Sequence, residues 1–395
     1  ISTFVCWHVA NIRIRRIQHR SSRLNIAKKE SIFGGSQLLK KCLDYVVATY
    51  KPRYIVVTDS CVAGVIGDDS AAVCQEAEQE YGIPVLHVDC HGFLDGEYYG
   101  GFISAAKLLI DRFMAKKELP NVTSDQPYKV TLIGEKDGPG SMAIQQFCAL
   151  IEDFGLEIYK AFPGYCSIED MQKIGESDFT VILGGTQKAY AYLREIADYM
   201  NEKLGISHFA SDYPIGWEGT RRWLDDFSVF LQNFKSDAKN HKIEIEAIKA
   251  NVWRRFEEGF EPFKKTLQEA SIVLSLGYIN PNYDLSWVLE WIHLGNLSLA
   301  KVVILDNVPE TQQAMYRTMV QRFYPETTIV LETADTVLPK DALIITTQEL
   351  AEPFLRQLIL PCLPPIGMAG LVQMYRKLFM LARRRGERGI VLYGW

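Results

Sequence analysis

Short runs of apolar and β-branched residues alternate with longer helical patterns along almost the whole chain. The clearest strand candidates are 54–58, 84–88, 129–134, 179–183, 272–276, 302–305, 328–331 and 342–346. These runs are continuously apolar rather than alternating, which is typical of parallel strands that helices cover on both faces. The sequence therefore predicts a doubly wound α/β fold with mostly parallel sheets.

Two polar segments divide the predicted strands into three groups. Segment 117–126 carries a proline and separates a helical pattern from the next strand, which indicates a boundary. Segment 236–268 is long, charged and amphipathic, and its apolar residues recur at near-helical spacing. A chain of 395 residues is also too long for one core, because single cores stop growing at roughly 250 to 300 residues. We therefore expect three Rossmann-like domains, at 1–122, at 123–268 with a long helix, and at 269–395.

Composition and charge exclude several classes of function. The net charge of −5 lacks the basic excess of a nucleic-acid-binding protein. Basic stretches at 13–23 and 383–388 are interpreted as solvated helix faces, with docking of an acidic partner as the alternative. No apolar run reaches the roughly 18 residues that a membrane span needs. Eight cysteines are too sparse for a disulfide scaffold, and no signal peptide is evident, so we expect a reducing cytoplasm in which cysteines bind metal or are buried thiols.

One cysteine follows the first predicted strand at a position where ligands bind in sheets of this kind. The carboxyl ends of parallel strands are the usual binding edge, and Cys61 comes three residues after the run at 54–58. The chain then turns through 62–69 into a predicted helix. A thiolate at a helix N-terminus has a lowered pKa, which favours metal ligation or nucleophilic chemistry. Taken alone, Cys61 also fits a structural thiol.

Three motifs in the first 70 residues carry a family resemblance. They are Phe33-Gly34-Gly35 before a helix, Tyr50-Lys51-Pro52 before a strand, and Cys61 separated by four residues from Ile66-Gly67-Asp68-Asp69. Their order and spacing resemble the FGG, YKP and C-x-x-x-x-IGDD elements of the nitrogenase component 1 family. The resemblance implies that Cys61 ligates the P-cluster, the iron–sulfur cluster at the interface of the α and β subunits. It also implies a second ligand in a helix-starting loop, and Cys6 lies at about the right distance, although the usual glycine is absent.

Several other segments contain residues of the kinds that bind metals or nucleotides. Adjacent residues at a strand end point apart, so Cys90 and His91 are interpreted as structural rather than as a metal pair. The glycine-rich loop at 138–141 lacks both the GxGxxG and the Walker spacing, so we expect no nucleotide site. Cys42 and Cys148 fall at apolar positions of helical patterns and are also interpreted as structural.

Two absences decide the subunit type that the resemblance implies. Catalytic α subunits of the family hold their cofactor through a cysteine in the middle domain and a histidine in the third domain. Segment 183–190 has no cysteine, and Ile366 stands where the histidine would be. An apolar side chain is no metal ligand, so the resemblance implies a β-type subunit without catalytic residues of its own. Cys166, His208, His293 and Cys362 are interpreted as structural.

The resemblance implies an oxidoreductase complex in which an ATP-dependent iron protein delivers electrons. Its cluster, of P-cluster or [4Fe-4S] type, would be shared with a homologous α-type subunit in an α2β2 heterotetramer, without nucleic acid or membrane. Segment 339–365 lacks polar signals of dinitrogen reductases, which favours a nitrogenase-like reductase, with nitrogen fixation or methylthio-alkane reduction as candidate reactions. One alternative is a metallocluster-assembly scaffold, whose β-type members generally lose the cysteine present here as Cys61. Another is a Rossmann-type binding protein without metal.

Overall fold

A computed structural model describes residues 2–10, 17–25, 35–58, 69–89, 98–115, 127–134, 142–164, 166–183, 187–234, 244–279, 285–352, 354–361, 364–384 and 389–394. The chain forms two compact units. Unit 1 consists of 1–139, 157–183 and 189–210, and unit 2 consists of 140–156, 184–188 and 211–395. The domain boundaries at 122 and 268 stay a prediction.

The secondary structure within the described segments is as follows. Helices are α1 Ser36–Tyr50, α2 Ser70–Tyr81, α3 Tyr98–Phe113, α4 Met142–Ile151, α5 Ile168–Ile174, α6 Gln187–Leu204, α7 Gly216–Phe234, α8 Ile245–Gln268, α9 Ser286–Leu294, α10 Glu310–Phe323 and α11 Gly367–Ala382. Strands are β1 Ser2–Ala10, β2 Ile17–Asn25, β3 Tyr54–Thr58, β4 Val85–Val88, β5 Lys129–Ile133, β6 Glu157–Phe162, β7 Phe179–Ile182, β8 Ser207–Phe209, β9 Ser271–Leu276, β10 Ser298–Ile304, β11 Thr328–Leu331, β12 Leu343–Thr346, β13 Arg356–Ile359 and β14 Ile390–Tyr393.

Unit 1 contains two four-stranded sheets. The first has the order β2-β1-β3-β4, in which β1 is antiparallel to both β2 and β3, while β3 and β4 are parallel. The second has the order β6-β5-β7-β8, and all its pairings are parallel. The predicted α/β fold with mostly parallel sheets is confirmed.

Helices cover both faces of β3, which explains why its sequence is continuously apolar. Ile55 and Val57 are fully buried in a cluster with Leu43 of α1 and Cys74 of α2. Tyr54 lies in a second cluster, which also holds Ile103 and Ile110 of α3 together with Ile133, Phe162 and Ile182 of the second sheet. Full burial of one such leucine or isoleucine side chain contributes about 1.5–3 kcal/mol. The two sheets of unit 1 therefore share one apolar core around α3.

Unit 2 is built on a six-stranded sheet with the order β11-β10-β9-β12-β13-β14, and all its pairings are parallel. The chain leaves β9 first toward β10 and later returns to β12 on the other side, so the strand order reverses at β9. An aromatic cluster joins α8, α9 and α11. The ring of Tyr375 lies 4.3 Å from that of Phe260 and 5.2 Å from that of Trp291.

The predicted strands each overlap an observed strand, whereas one prediction about the basic segment is wrong. Arg20 and Arg23 lie in strand β2 and not on a helix face. Positions 13, 15 and 16 fall outside the described residues, as do 385–388 of the second basic stretch. None of the helices in the described segments is both long enough and apolar enough to cross a membrane.

Candidate functional site

The candidate site is the loop that connects β3 to α2. Strand β3 ends at Thr58 and helix α2 begins at Ser70. Asp69 is the N-cap of α2, and its Oδ1 accepts the N–H of Ala72 at 3.0 Å. A carboxylate at this position satisfies an otherwise unpaired N–H and interacts favourably with the helix dipole. The predicted strand and the predicted helix are both present, while Cys61 itself lies within 59–68, outside the described residues.

Both ends of this loop are attached to rigid elements. The side chain of Val57, next to the end of the strand, is fully buried, and so is Ala77 of α2 in the same cluster. Helix α2 ends at Gly82, whose φ of 64° is in the left-handed region that favours glycine. A loop held by a packed strand and a capped helix is a good place for a binding residue, because the scaffold fixes where the loop starts and ends.

Cys6 lies in a different local structure from the one that the resemblance implies. Its backbone is in the middle of β1, opposite Ser21 of β2 and Val56 of β3, and not in a helix-starting loop. Because β1 and β3 are antiparallel, the residue beside the carboxyl end of β3 is Phe4 rather than Cys6. The five residues from Val56 to Cys61 can span at most about 18 Å. Cys61 is therefore within about 18 Å of Val56 along the chain, and the role of both cysteines as ligands stays a prediction.

The neighbouring strand contributes a histidine and a carboxylate to this part of the sheet. His87 of β4 is opposite Val57, and its Nδ1 lies 3.8 Å from Oδ1 of Asp89, an ion pair only when the imidazole is protonated. Cys90 and His91 lie outside the described residues. Across the described segments, no three His, Cys, Asp or Glu side chains are grouped so that they could hold a metal ion.

None of the described thiols outside β1 belongs to a group of described side chains that could hold a metal ion. Cys166 is buried, its Sγ donates to the carbonyl oxygen of Ala161 at 2.7 Å, and burial raises its pKa to about 12. Cys74 is part of the core beneath β3. Burial also raises the pKa values of Cys42 and Cys148. Cys148 is nevertheless exposed on α4, so the predicted apolar position is wrong for this residue.

The described imidazoles of the middle and C-terminal regions also have structural surroundings. Nε2 of His208 lies 3.3 Å from Oδ1 of Asp198, and burial lowers the pKa of this imidazole. The ring of His293 in α9 packs edge-on at 6.2 Å from that of Tyr324. Cys362 is outside the described residues.

Ile366 is buried at the start of α11. It is the N-cap of this helix and is 1% exposed. Its N–H donates to Oε1 of Gln146 at 2.8 Å. An apolar side chain fully enclosed by the protein offers no ligand at the position where the resemblance implies a histidine in α-type subunits.

A polar cluster at the strand-order reversal of unit 2 was not predicted from the sequence. The N–H of Gly277, directly after β9, donates to Oγ1 of Thr347 at 2.7 Å, and its carbonyl oxygen accepts from the hydroxyl of Tyr316 at 2.9 Å. Nδ2 of Asn307 donates to Oε1 of Gln348 at 2.9 Å. Such reversals are common ligand sites in doubly wound sheets. The available signal was polar residues immediately after the runs at 302–305 and 342–346.

Comparisons with known proteins agree with this fold. A family model described as nitrogenase component 1 type oxidoreductase matches residues 2–286, and the chain belongs to this family. Similar curated proteins include the nitrogenase molybdenum-iron protein alpha chain of Methanosarcina barkeri, 24% identical over 64% of this chain and 44% of that protein. Another is the nitrogenase iron-molybdenum cofactor biosynthesis protein NifE of Clostridium pasteurianum, 26% identical over 58% of this chain and 47% of that protein. The chain thus spans about half the length of these relatives.

A solved structure shows the same fold. Nitrogenase Cp1 at pH 5 aligns with a TM-score of 0.57 and 18% identity, over 91% of this chain and 76% of that chain. At this identity, the likeness concerns the fold alone.

Proposed function

We propose that this chain is the β-type subunit of a nitrogenase-like reductase and relays electrons through an iron–sulfur cluster at a subunit interface. The observation that carries the proposal is that the packed strand β3 and the capped helix α2 flank the segment in which Cys61 falls in the sequence. Membership of an oxidoreductase family supports the same chemistry. The cluster when bound would supply reversible one-electron oxidation and reduction.

The donor set of the first sheet fits part of such a cluster. Thiolates are soft ligands that suit iron–sulfur iron, and a cluster commonly takes four of them. We propose Cys61 as the main ligand and Cys6 as the second, with the remaining ligands from a homologous α-type subunit. The task of this chain is then to hold the thiolates in place and exclude water through the apolar packing of Ile55 and Val57.

The buried apolar side chain of Ile366 supports the β-type assignment. The catalytic cofactor would belong to the partner, in an α2β2 assembly that an ATP-dependent iron protein reduces. An obligate interface of this kind should bury more than about 2,000 Å². Nitrogen fixation and methylthio-alkane reduction are the candidate reactions. The three domains at 1–122, 123–268 and 269–395 are part of the same proposal.

A second candidate is a metallocluster-assembly scaffold, and the similarity to NifE favours it. The two candidates differ in what the complex does with its electrons. A reductase turns over substrate when the iron protein and ATP are supplied, whereas a scaffold transfers a cluster to an acceptor protein and shows no turnover.

The test compares Cys61→Ala with Cys148→Ala, each purified anaerobically with its partner. We expect Cys61→Ala to lose iron, acid-labile sulfide and reductase activity while the fold persists, because one loop side chain contributes little to the cores. Cys148 is exposed on α4, so its alanine variant should keep all three. If both variants keep full iron and activity, Cys61 is a structural thiol and the proposed relay is wrong.

A further inference from the structure

Helices α4, α8 and α11 of unit 2 surround a cavity of about 270 Å³. Its apolar wall includes Leu150, Val252 and Phe256. Its polar wall consists of Gln146, Arg255, Gln373 and Arg376, with no carboxylate among the lining residues. Pockets for drug-sized ligands are roughly 300–1,000 Å³, so this cavity suits a smaller molecule.

The two guanidinium groups of the wall differ in their charge balance. Arg255 forms a two-point contact with Asp153, with Nη2 at 2.8 Å from Oδ2 and Nη1 at 3.2 Å from Oδ1. That carboxylate compensates the charge of Arg255. Arg376 is exposed on α11 and forms no ion pair or hydrogen bond with any other residue that the structure describes. Among the described residues, no carboxylate therefore compensates the positive charge on the Arg376 side of the cavity.

The start of α11 adds to this positive potential. Gly367, Met368 and Ala369 line the cavity and form the first turn of a 16-residue helix. This turn has no acidic side chain and no side-chain cap. The N–H of Gly367 already donates to the carbonyl oxygen of Pro214 at 2.8 Å, which leaves the N–H groups of Met368 and Ala369 and the helix dipole to attract an anion.

The polar wall is held in place before any ligand binds. The carboxamide of Gln146, 5% exposed, accepts the N–H of Ile366 at 2.8 Å and donates to Oε1 of Gln373 at 2.6 Å. A Cβ atom at Gly370 would overlap Pro365 and crowd Gln146, so the first turn of α11 packs closely against this amide. The wall therefore needs little rearrangement to receive a ligand.

We propose that this cavity binds a small organic anion with one carboxylate or phosphate head group and an apolar body. The head group contacts the guanidinium of Arg376 and the first turn of α11, and the body packs on Leu150, Val252 and Phe256. This site is independent of Cys61 and of the proposed electron relay.

The test is isothermal titration calorimetry of the full chain with benzoate, phenyl phosphate and inorganic phosphate. We expect one site per chain for benzoate or phenyl phosphate, and the stronger of the two identifies the head group. Inorganic phosphate should bind more weakly because it has no apolar body. Loss of a charge-assisted hydrogen bond in Arg376→Gln should weaken binding about tenfold or more.

Two further variants separate a specific site from general effects. Arg254→Gln is the matched control, since Arg254 is exposed on α8, pairs with Glu258 and does not line the cavity. Ala149→Phe should fill the cavity and abolish binding without changing charge. The proposal is overturned if no probe binds at about 10 mM. It is also overturned if Arg254→Gln and Arg376→Gln lose equal affinity for the probe, or if Ala149→Phe binds as tightly as wild type. Thermal unfolding of each variant verifies that it is folded.

Discussion

Replacement of Gly216 by alanine should destabilise unit 2 in a way that depends on Glu290. Gly216 begins α7 with a φ of 66°, and a Cβ atom at this position would overlap the carboxylate of Glu290. The same carboxylate caps the helix, since its Oε1 accepts the N–H groups of Trp217 at 2.9 Å and Glu218 at 3.2 Å. Alanine thus brings backbone strain and also displaces the capping group.

The loss of unfolding free energy in Gly216→Ala is the sum of these two effects. A left-handed backbone conformation costs a residue with a Cβ atom about 1–2 kcal/mol. Loss of an N-terminal cap costs about 0.5–2 kcal/mol. We therefore expect Gly216→Ala to lower the free energy of unfolding by about 1.5–4 kcal/mol. Gly155 is the matched control, because its φ is 64° and nothing lies within 4 Å of an added Cβ atom. Gly155→Ala should show the backbone cost alone.

The assay is urea-induced unfolding followed by tryptophan fluorescence, in a double-mutant cycle with Glu290→Ala. Once Glu290 is removed, the overlap no longer exists, so Gly216→Ala should cost only about 1–2 kcal/mol in that background. Equal costs of Gly216→Ala in the presence and absence of Glu290, or equal costs of Gly216→Ala and Gly155→Ala, would refute the reasoning.

Two further predictions concern carboxylates at helix starts. Burial raises the pKa of Glu290, although the N–H groups of Glu218 and Trp217 lower it in part. A raised pKa of an acid means that the folded protein favours the protonated form. The stabilisation from the protonated carboxyl group is therefore present below the ordinary pKa of glutamate. It is lost as the pH rises through the pKa of Glu290 in the folded protein. The free energy of unfolding of Glu290→Gln, measured across this pH range, should lack the pH dependence that Glu290 causes. A pH profile unchanged from wild type would contradict the raised pKa of Glu290. Asp69→Ala should lower the free energy of unfolding by about 1 kcal/mol, because it removes the cap of α2. Glu76 is exposed on the same helix, so Glu76→Ala should be nearly neutral. Equal losses of stability in the two variants would argue against the cap.

The strands that the sequence predicts are mostly apolar, and their burial explains this composition. Strand β3 is covered on both faces, so Ile55 and Val57 contact one cluster and Tyr54 another. Strand β13 was not predicted because Gln357 interrupts its apolar run. This side chain is 2% exposed, and its carboxamide bonds to both the N–H and the carbonyl oxygen of Leu350. Burial of an amide with such partners is a tertiary effect that local patterns do not reveal.

In the candidate sites as well, local features were predictable from the sequence, whereas features that depend on tertiary structure were not. The strand and the helix that flank Cys61 were predictable because the apolar run at 54–58 and the helix cap Asp69 are local sequence features. The local structure of Cys6 was not, since its pairing with Val56 joins residues 50 positions apart. Asn307 and Gln348 meet only because the sheet places β10 and β12 on either side of β9. Sheet order is determined by the whole unit, and a single sequence does not specify it locally.

The apolar core around α3 has a consequence for cooperativity in unit 1. Ile103 and Ile110 pack in one cluster with residues from both sheets, so separation of either sheet would expose surface that the other also uses. Local opening at β3 therefore requires partial loss of structure in the second sheet, and the amides of β3 and β5 should exchange with solvent deuterium as one unit. The loop that carries Cys61 is thus attached to one of the slowest-opening parts of unit 1.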